Sequence, residues 1–252
     1  MKTITQTWEM RNLGLKCLEI KISHEDKVDN TEIEEIVLDN EFDYIQATVP
    51  AGKMDIAYYL QQNGFLFTET RFSLISNLET LKLPRIFSRI YDRIDYHEAN
   101  TNELDKIYTC LKNGVFDSDR YSLDPKIGRD KSGNRYYEWC KSEVESGESK
   151  AYAVNYKGEP LGFFILKLGF TKYSYGLMGG LYNKLKDAGR GIGVLYPPME
   201  LSKRYKYEYI TTGISSNNPS SLRMHLALGY EIQELEYIFV RHNQTHNNME
   251  IV

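Results

Sequence analysis

Gly189-Arg190-Gly191-Ile192-Gly193 is the stretch that most restricts what this chain can fold into, because it sits between a strand-like run and a helix-like one. Glycine reaches φ > 0 without steric cost, and its missing Cβ lets backbone approach another group closely. Alternate glycines at a strand-to-helix turn therefore allow backbone N–H groups to face an anion. A helix starting there adds roughly half a positive charge at its N-terminus. A plain strand-to-helix turn can carry the same residues, so the flanking segments have to decide.

Upstream, residues 150–155 and 161–167 form two strands joined by a turn at Tyr156-Lys157-Gly158-Glu159-Pro160. A third strand at 172–182 contains Gly176, Gly179 and Gly180, which predicts a bulge or a ligand laid against the backbone. Downstream, Pro197 and Pro198 fall where a helix should be established. Either the helix begins at the prolines, which suit a first turn, or it is kinked there. A strand follows at 207–214, then a helix led by Asn218-Pro219 with Leu222, Met224, Leu226 and Leu228, then Gly229-Tyr230 and a last strand at 234–241.

The front of the chain repeats part of this order. Residues 8–22 alternate enough to suggest one or two strands, and 29–40 a short amphipathic helix. Residues 42–50 form a buried strand stopped by Pro50, and 53–63 a helix closed by Gly64 before a strand at 65–75. Residues 83–94 read as a linker with an apolar contact stripe. Beyond it come a helix at 102–114, a polar turn-rich loop from Phe116 to Pro125, and a helix at 134–145 carrying Tyr136, Tyr137, Trp139 and Cys140. A loop with Arg120, Tyr121 and Asp124 beside that aromatic helix could wall a substrate; Tyr137 and Trp139 could equally be core.

Charge and composition exclude several classes. A net charge of −4 with no basic stripe argues against nucleic acid as a partner. No apolar run reaches the roughly 20 residues of a bilayer span, so no membrane partner is expected. The first residues lack the apolar stretch of a signal peptide, which makes the cytoplasm the expected location. Cys17, Cys110 and Cys140 are widely spaced and read as reduced thiols. His24, His97, His225, His242 and His246 show no ligand spacing, so no metal is expected.

The order of elements from about Asp95 to Arg241 resembles the GNAT superfamily of acetyl-CoA-dependent N-acyltransferases. Two motifs carry the resemblance: Ala188-Gly189-Arg190-Gly191-Ile192-Gly193, and Asn218-Pro219-Ser220-Ser221 running to Gly229-Tyr230. It implies an α/β (α+β) GNAT fold with a mixed, mostly antiparallel central sheet. Trp8-Glu9 with Gly14, and Arg120-Tyr121, Asp124-Pro125, Tyr137 and Trp139, further resemble the TDP-fucosamine acetyltransferase group. That likeness implies a smaller degenerate GNAT-like half at 1–82, a linker at 83–94, a catalytic domain at 95–243 and a polar tail at 244–252.

By the same resemblance, coenzyme A lies against Gly189, Arg190, Gly191, Ile192, Gly193 and Val194. Its pantetheine follows the backbone of Leu181, Tyr182 and Asn183, where the third strand splays from the fourth, and Asn218 binds near the thiol. Ala188 stands where the family has Gln or Arg. His225 stands where the family's general-acid tyrosine is expected. It can serve as acid to the thiolate, as base to the amine through water, or as packing, with transfer then resting on positioning alone. Arg120 and Tyr121 are the expected acceptor-binding residues. The implied reaction moves acetyl from acetyl-CoA to a small-molecule primary amine, on a nucleotide-linked amino-deoxy sugar, with a homodimer compatible. Another small amine, a peptide N-terminus, or a non-catalytic acyl-CoA sensor are the alternatives.

Overall fold

Ten β-strands and nine helices alternate along the described part of the computed structural model, which covers residues 1–27, 30–38, 41–169, 171–183, 187 and 189–243. Backbone proximity divides the chain into two units, Met1–Arg71 with the chain from Glu234 onward, and Phe72–Gln233.

The first unit holds β1 (Lys2–Thr5), α1 (Thr7–Leu13), β2 (Cys17–Lys21), α2 (Asn30–Leu38), β3 (Tyr44–Pro50), α3 (Met54–Gln62), the start of β4 (Leu66–Asn77) and most of β10 (Glu231–His242). Its strands run in the order β1-β2-β3-β10-β4, with β2 and β3 parallel and β3 and β10 antiparallel. Ile20, Ile45, Ala47, Val49, Leu60, Phe65 and Phe239 form its core. Of the one or two strands expected at 8–22, one forms, at Cys17–Lys21, and the start of the run is corrected: Trp8 lies in α1. Gly14 at φ +69° breaks the chain between them, so the apolar alternation begins only after that turn.

Helix α3 shows how a Gly-aromatic pair works. Gly64 takes φ +79° and donates its N–H to Gln61, while Phe65 N–H reaches back to Leu60. These are the two bonds of a Schellman ending, in which the residue after the glycine packs on the residue at the far end of the longer bond. Phe65 and Leu60 are both buried in the same core.

The second unit contains the end of β4, α4 (Arg85–Tyr91), β5 (Ile94–Glu98), α5 (Thr101–Lys112), α6 (Arg120–Leu123), α7 (Gly128–Glu145), β6 (Ser149–Tyr156), β7 (Glu159–Leu168), β8 (Tyr173–Leu181), α8 (Ile192–Arg204), β9 (Tyr209–Ser215) and α9 (Pro219–Ala227). The strand order is β4-β9-β8-β7-β6-β5, antiparallel from β5 to β8 and parallel between β8 and β9. The β6–β7 hairpin turns on Lys157 and Gly158, both at positive φ, which is the backbone a two-residue hairpin loop requires. Residues 83–94 fold as α4 and the start of β5, with Phe87, Ile90 and Tyr91 on the core.

Strand β7 is buried on both faces. Phe163 and Ile165 point to Ile107, Leu111 and Cys140 of α5 and α7, whereas Phe164 and Leu166 join Val194 and Met199 of α8. A continuous apolar run is the expected signature of such a strand.

Helix α7 is longer than the 134–145 expected. Gly133 lies inside the helix: a Cβ on it would stand 2.4 Å from the carbonyl oxygen of Lys112. The glycine is therefore a site of close backbone approach between α5 and α7. The polar loop at 116–125 contains the short helix α6, capped by Asp119, whose carboxylate accepts from the N–H groups of Tyr121 and Ser122.

Candidate active site

Strands β8 and β9 pair in parallel at Tyr173 with Tyr209, Ser174 with Ile210 and Tyr175 with Thr211. Thr212 Oγ1 then donates to the carbonyl of Gly176 at 2.8 Å. Past that bond β8 runs on to Leu181, paired with Gly162 of β7, and β9 runs on to Ser215. The strands part at their C-terminal ends. Because they are parallel, the turn into α8 and the turn into α9 leave from the same edge of the sheet. This is where ligands enter open α/β sheets.

The glycines of β8 carry several local tasks. A bulge displaces the register by one residue at Leu177, between the pairs Leu166 with Gly176 and Ile165 with Met178. A Cβ on Gly179 would meet the carbonyl of Val194 at 3.2 Å, and one on Gly180 would meet the Phe163 ring at 3.0 Å. The expected bulge is present, and tight packing against α8 and β7 accounts for these two glycines.

The three glycines of the following turn separate by cause. Gly189 is at φ +82°, a conformation costly for any other residue. Gly193 has ordinary helical backbone, but a Cβ there would fall 2.7 Å from Ile94 and 2.8 Å from Leu161. Gly191 has φ −55° and ψ −24°, and nothing lies within 4 Å of where its Cβ would be. No intramolecular contact among the described residues requires glycine at 191.

Helix α8 begins at Ile192, so the alternative in which it begins at the prolines is corrected. Pro197 and Pro198 lie buried inside it and withhold donors from the carbonyls of Gly193 and Val194. The helix persists because both prolines, with Tyr196 and Met199, are packed into the unit's interior. Its dipole therefore points at the glycine turn. Within that turn Arg190, Gly193 and Val194 already donate their N–H groups to Asp187, Arg190 and Gly191. Arg190 Nη1 is 2.6 Å from buried Asp187, with its guanidinium 4.4 Å from the Tyr156 ring centroid. Ala188 lies outside the described residues.

Leu181 closes β8, Tyr182 donates its N–H to Leu161 at 3.0 Å, and the Asn183 carbonyl accepts from Asp187. The Tyr182 side chain turns toward α5, with Lys106 Nζ 4.2 Å above its ring. Its hydroxyl is buried without a hydrogen-bond partner among the described residues. Burial holds that phenol protonated, with Cys110 and then Glu103 adding to the effect.

At the other strand end, Asn218 caps α9: its Oδ1 accepts from Ser221 N–H at 3.1 Å. His225 lies one turn on and is 5% exposed. Its Nδ1 is 2.8 Å from the Ser221 carbonyl oxygen, with Ser221 Oγ at 3.3 Å. Burial lowers its proton affinity below the ordinary value of 6.5, and the bond to Ser221 opposes that shift. Gly229, at φ +90°, donates to Leu226, and Tyr230 donates to His225. This is the same Schellman ending as at Gly64-Phe65, and Tyr230 packs edge-on against the His225 ring at 5.0 Å. The Gly-Tyr pair thus buries one side of the histidine.

Arg120 and Tyr121 lie apart from these residues in the sequence, in α6. Tyr121 is buried, with the guanidinium carbons of Arg120 and Arg135 each 4.4 Å from its ring centroid. Arg135 was missed in the sequence; its position four before Trp139 on one helix face was the available signal. Ser221 was also missed, since its contribution is a backbone carbonyl. Tyr137 and Trp139 are in the packing: Tyr137 meets Tyr108 at 5.3 Å and Lys112 Nζ at 3.9 Å. Among the described residues no cluster of His, Cys, Asp or Glu is placed to hold a metal ion, and no helix is long and apolar enough to cross a membrane.

No protein-family model matches the chain, and no curated protein matches it by sequence. Solved structures do. A GCN5-related N-acetyltransferase from Sphaerobacter thermophilus superposes with a TM-score of 0.64 at 9% identity, over 96% of this chain and 75% of that one. The tandem GNAT protein from the clavulanic acid biosynthesis pathway gives 0.56 at 11% identity, over 92% and 76%. The fold is the GNAT fold. A glucosamine N-acetyltransferase region in a fungal multi-domain β-N-acetylglucosaminidase gives 0.60 at 13% identity, over 89% of this chain and 29% of that one. The mixed sheet expected of a GNAT protein is what the chain forms, and the tandem neighbour accords with a doubled GNAT-like arrangement.

Proposed function

We propose that the protein is an N-acetyltransferase that moves acetyl from acetyl-CoA to a primary amine by direct attack of the amine on the thioester. The observation that carries this reading is the parting of β8 and β9 beside the start of α8, where a Cβ on Gly191 would meet no described atom. A diphosphate fits there, since the helix dipole and the turn of Gly189, Arg190, Gly191, Ile192, Gly193 and Val194 favour negative charge. Leu181, Tyr182 and Asn183 offer the backbone along which the pantetheine arm would lie. Asn218 accepts through Oδ1 in its cap, and its amide N–H groups serve the cofactor near the thiol. Acetyl-CoA supplies the activated acyl carbon. His225 is the proton-transfer group.

For the acceptor, the reading is the amino group of a nucleotide-linked amino-deoxy sugar. Arg120 and Arg135, each 4.4 Å from the Tyr121 ring centroid, support it, because a guanidinium fork matches phosphate oxygens. The catalytic domain is 95–243, with 1–82 as the half-GNAT-like part.

A thiol-release assay with acetyl-CoA and a panel of amines tests both levels. Turnover that depends on an amino-sugar nucleotide is the expected result. Acetyl-CoA binding without turnover on any amine overturns the enzyme reading. Turnover on simple amines or peptide N-termini, with none on amino-sugar nucleotides, overturns the acceptor assignment alone.

A further inference from the structure

Resting on the reading in which the glycine turn takes the cofactor's diphosphate, we infer that Arg190 is a positioning residue. With Asp187 and Tyr156 it clamps the turn in its binding shape, and its charge is committed to that clamp rather than to the phosphates.

Asp187 and Arg190 hold each other twice. Arg190 donates its backbone N–H to the Asp187 carbonyl at 3.0 Å, and its Nη1 lies 2.6 Å from Asp187 Oδ1. The Asp187 side chain is 7% exposed, and Arg190 is its ion-pair partner among the described residues. A carboxylate so buried is costly to leave without its cation. Moving the guanidinium onto a phosphate would strand that charge and set a second anion beside it. The contacts therefore favour an Arg190 that stays in place when the cofactor binds.

The clamp is anchored outside the turn. The Arg190 guanidinium carbon lies 4.4 Å from the ring centroid of Tyr156, at the end of β6. A cation over a ring face is attracted to it, more strongly where water is partly excluded. Tyr156 is itself held: it pairs with Ile94 of β5 and Glu159 of β7. Arg93 donates to its hydroxyl, which lowers the proton affinity of the phenol. Lys157 donates its backbone N–H to the Arg93 carbonyl at 2.9 Å. The turn between β8 and α8 is thus tied, through one side chain, to a hairpin end already fixed by its strand neighbours. A turn ordered in advance loses less freedom when it meets a ligand.

Removing the negative charge of Asp187 separates the two roles of Arg190 by sign, read as the Kd of the whole protein for acetyl-CoA. Asp187→Asn should weaken binding by about three- to tenfold, the loss expected when one side chain has to be ordered on binding. Were Arg190 a phosphate ligand, the same variant would free its guanidinium and remove a nearby negative charge, so unchanged or tighter binding overturns the inference. Tyr156→Leu should weaken binding by a similar factor, and it decides by the same sign should Asp187→Asn not fold. Arg190→Gln combined with Asp187→Asn should bind no worse than Arg190→Gln alone, since both break one clamp; additive losses overturn it. In steady-state transfer the loss should fall on KM for acetyl-CoA with kcat within about twofold of wild type, and a lowered kcat at unchanged KM overturns the inference as well. Wild type that binds no acetyl-CoA removes the cofactor reading together with this one. Wild type that binds it, with Asp187→Asn binding as tightly or more so, removes this one alone.

Discussion

The Ser221 carbonyl oxygen lies 2.8 Å from His225 Nδ1, one helical turn back along α9. That bond and the Tyr230 ring on the other side hold a buried imidazole in one orientation. A stability consequence follows from its burial. The folded pKa of His225 lies below the ordinary 6.5, so the unfolded chain binds the extra proton first as pH falls. The stabilisation is fully present above about 6.5 and is lost as pH drops from there toward the folded value. Urea unfolding across this window should show wild type losing stability more steeply than His225→Gln.

The glycine turn separates binding from folding. Gly191→Ala should leave the fold intact, or raise stability by up to about 1 kcal/mol by restricting the unfolded chain, while weakening acetyl-CoA binding. Gly193→Ala should cost about 1–3 kcal/mol through overpacking against Ile94 and Leu161. Gly189→Ala should cost about 1–2 kcal/mol through its left-handed backbone. Thermal melts and calorimetric titration of acetyl-CoA read the two effects separately.

The contact of α5 with α7 rests on Gly133. An alanine there would put its Cβ 2.4 Å from a backbone carbonyl, which cannot swing aside as a side chain can. Gly133→Ala should destabilise by about 1–3 kcal/mol, whereas Gly147→Ala, with open space but φ +75°, should lose only about 1–2 kcal/mol through backbone strain. Denaturant midpoints at equal m-value check the comparison.

Two helix endings offer a matched pair. Gly64→Ala and Gly229→Ala each force a left-handed position, at φ +79° and +90°, and should cost a similar 1–2 kcal/mol, roughly. Asn218→Ala should cost about 1 kcal/mol by removing the cap of α9. It should also lower kcat, because the Ser221 carbonyl that orients His225 is then less firmly held. Stability by urea unfolding and kcat by thiol release distinguish the two effects of Asn218→Ala.

Much of the fold was legible along the chain. The double-faced apolar run of β7, the hairpin at Lys157-Gly158 and both Gly-aromatic helix endings are local events whose causes lie within a few residues. The misreadings came where distant packing decided the outcome. The helix read from 134 begins earlier because Gly133 is a contact point for α5, and Pro197-Pro198, which left a helix start and a kinked helix both open, are accommodated inside α8 by burial. Trp8 read as strand because no local signal distinguishes a seven-residue helix ended by Gly14 from an alternating run.

The candidate site divides in the same way. The sequence by itself determined which residues stand at the two strand ends, since glycines, an N-capping asparagine and a Gly-Tyr ending are chemical requirements of the backbone. Only the tertiary structure decided what each of them does. It assigned Gly193 to packing and left Gly191 without an internal reason, because a Cβ clash depends on Ile94 and Leu161, far away in the chain. It also buried the His225 ring, since a helix by itself covers only part of a side chain it carries.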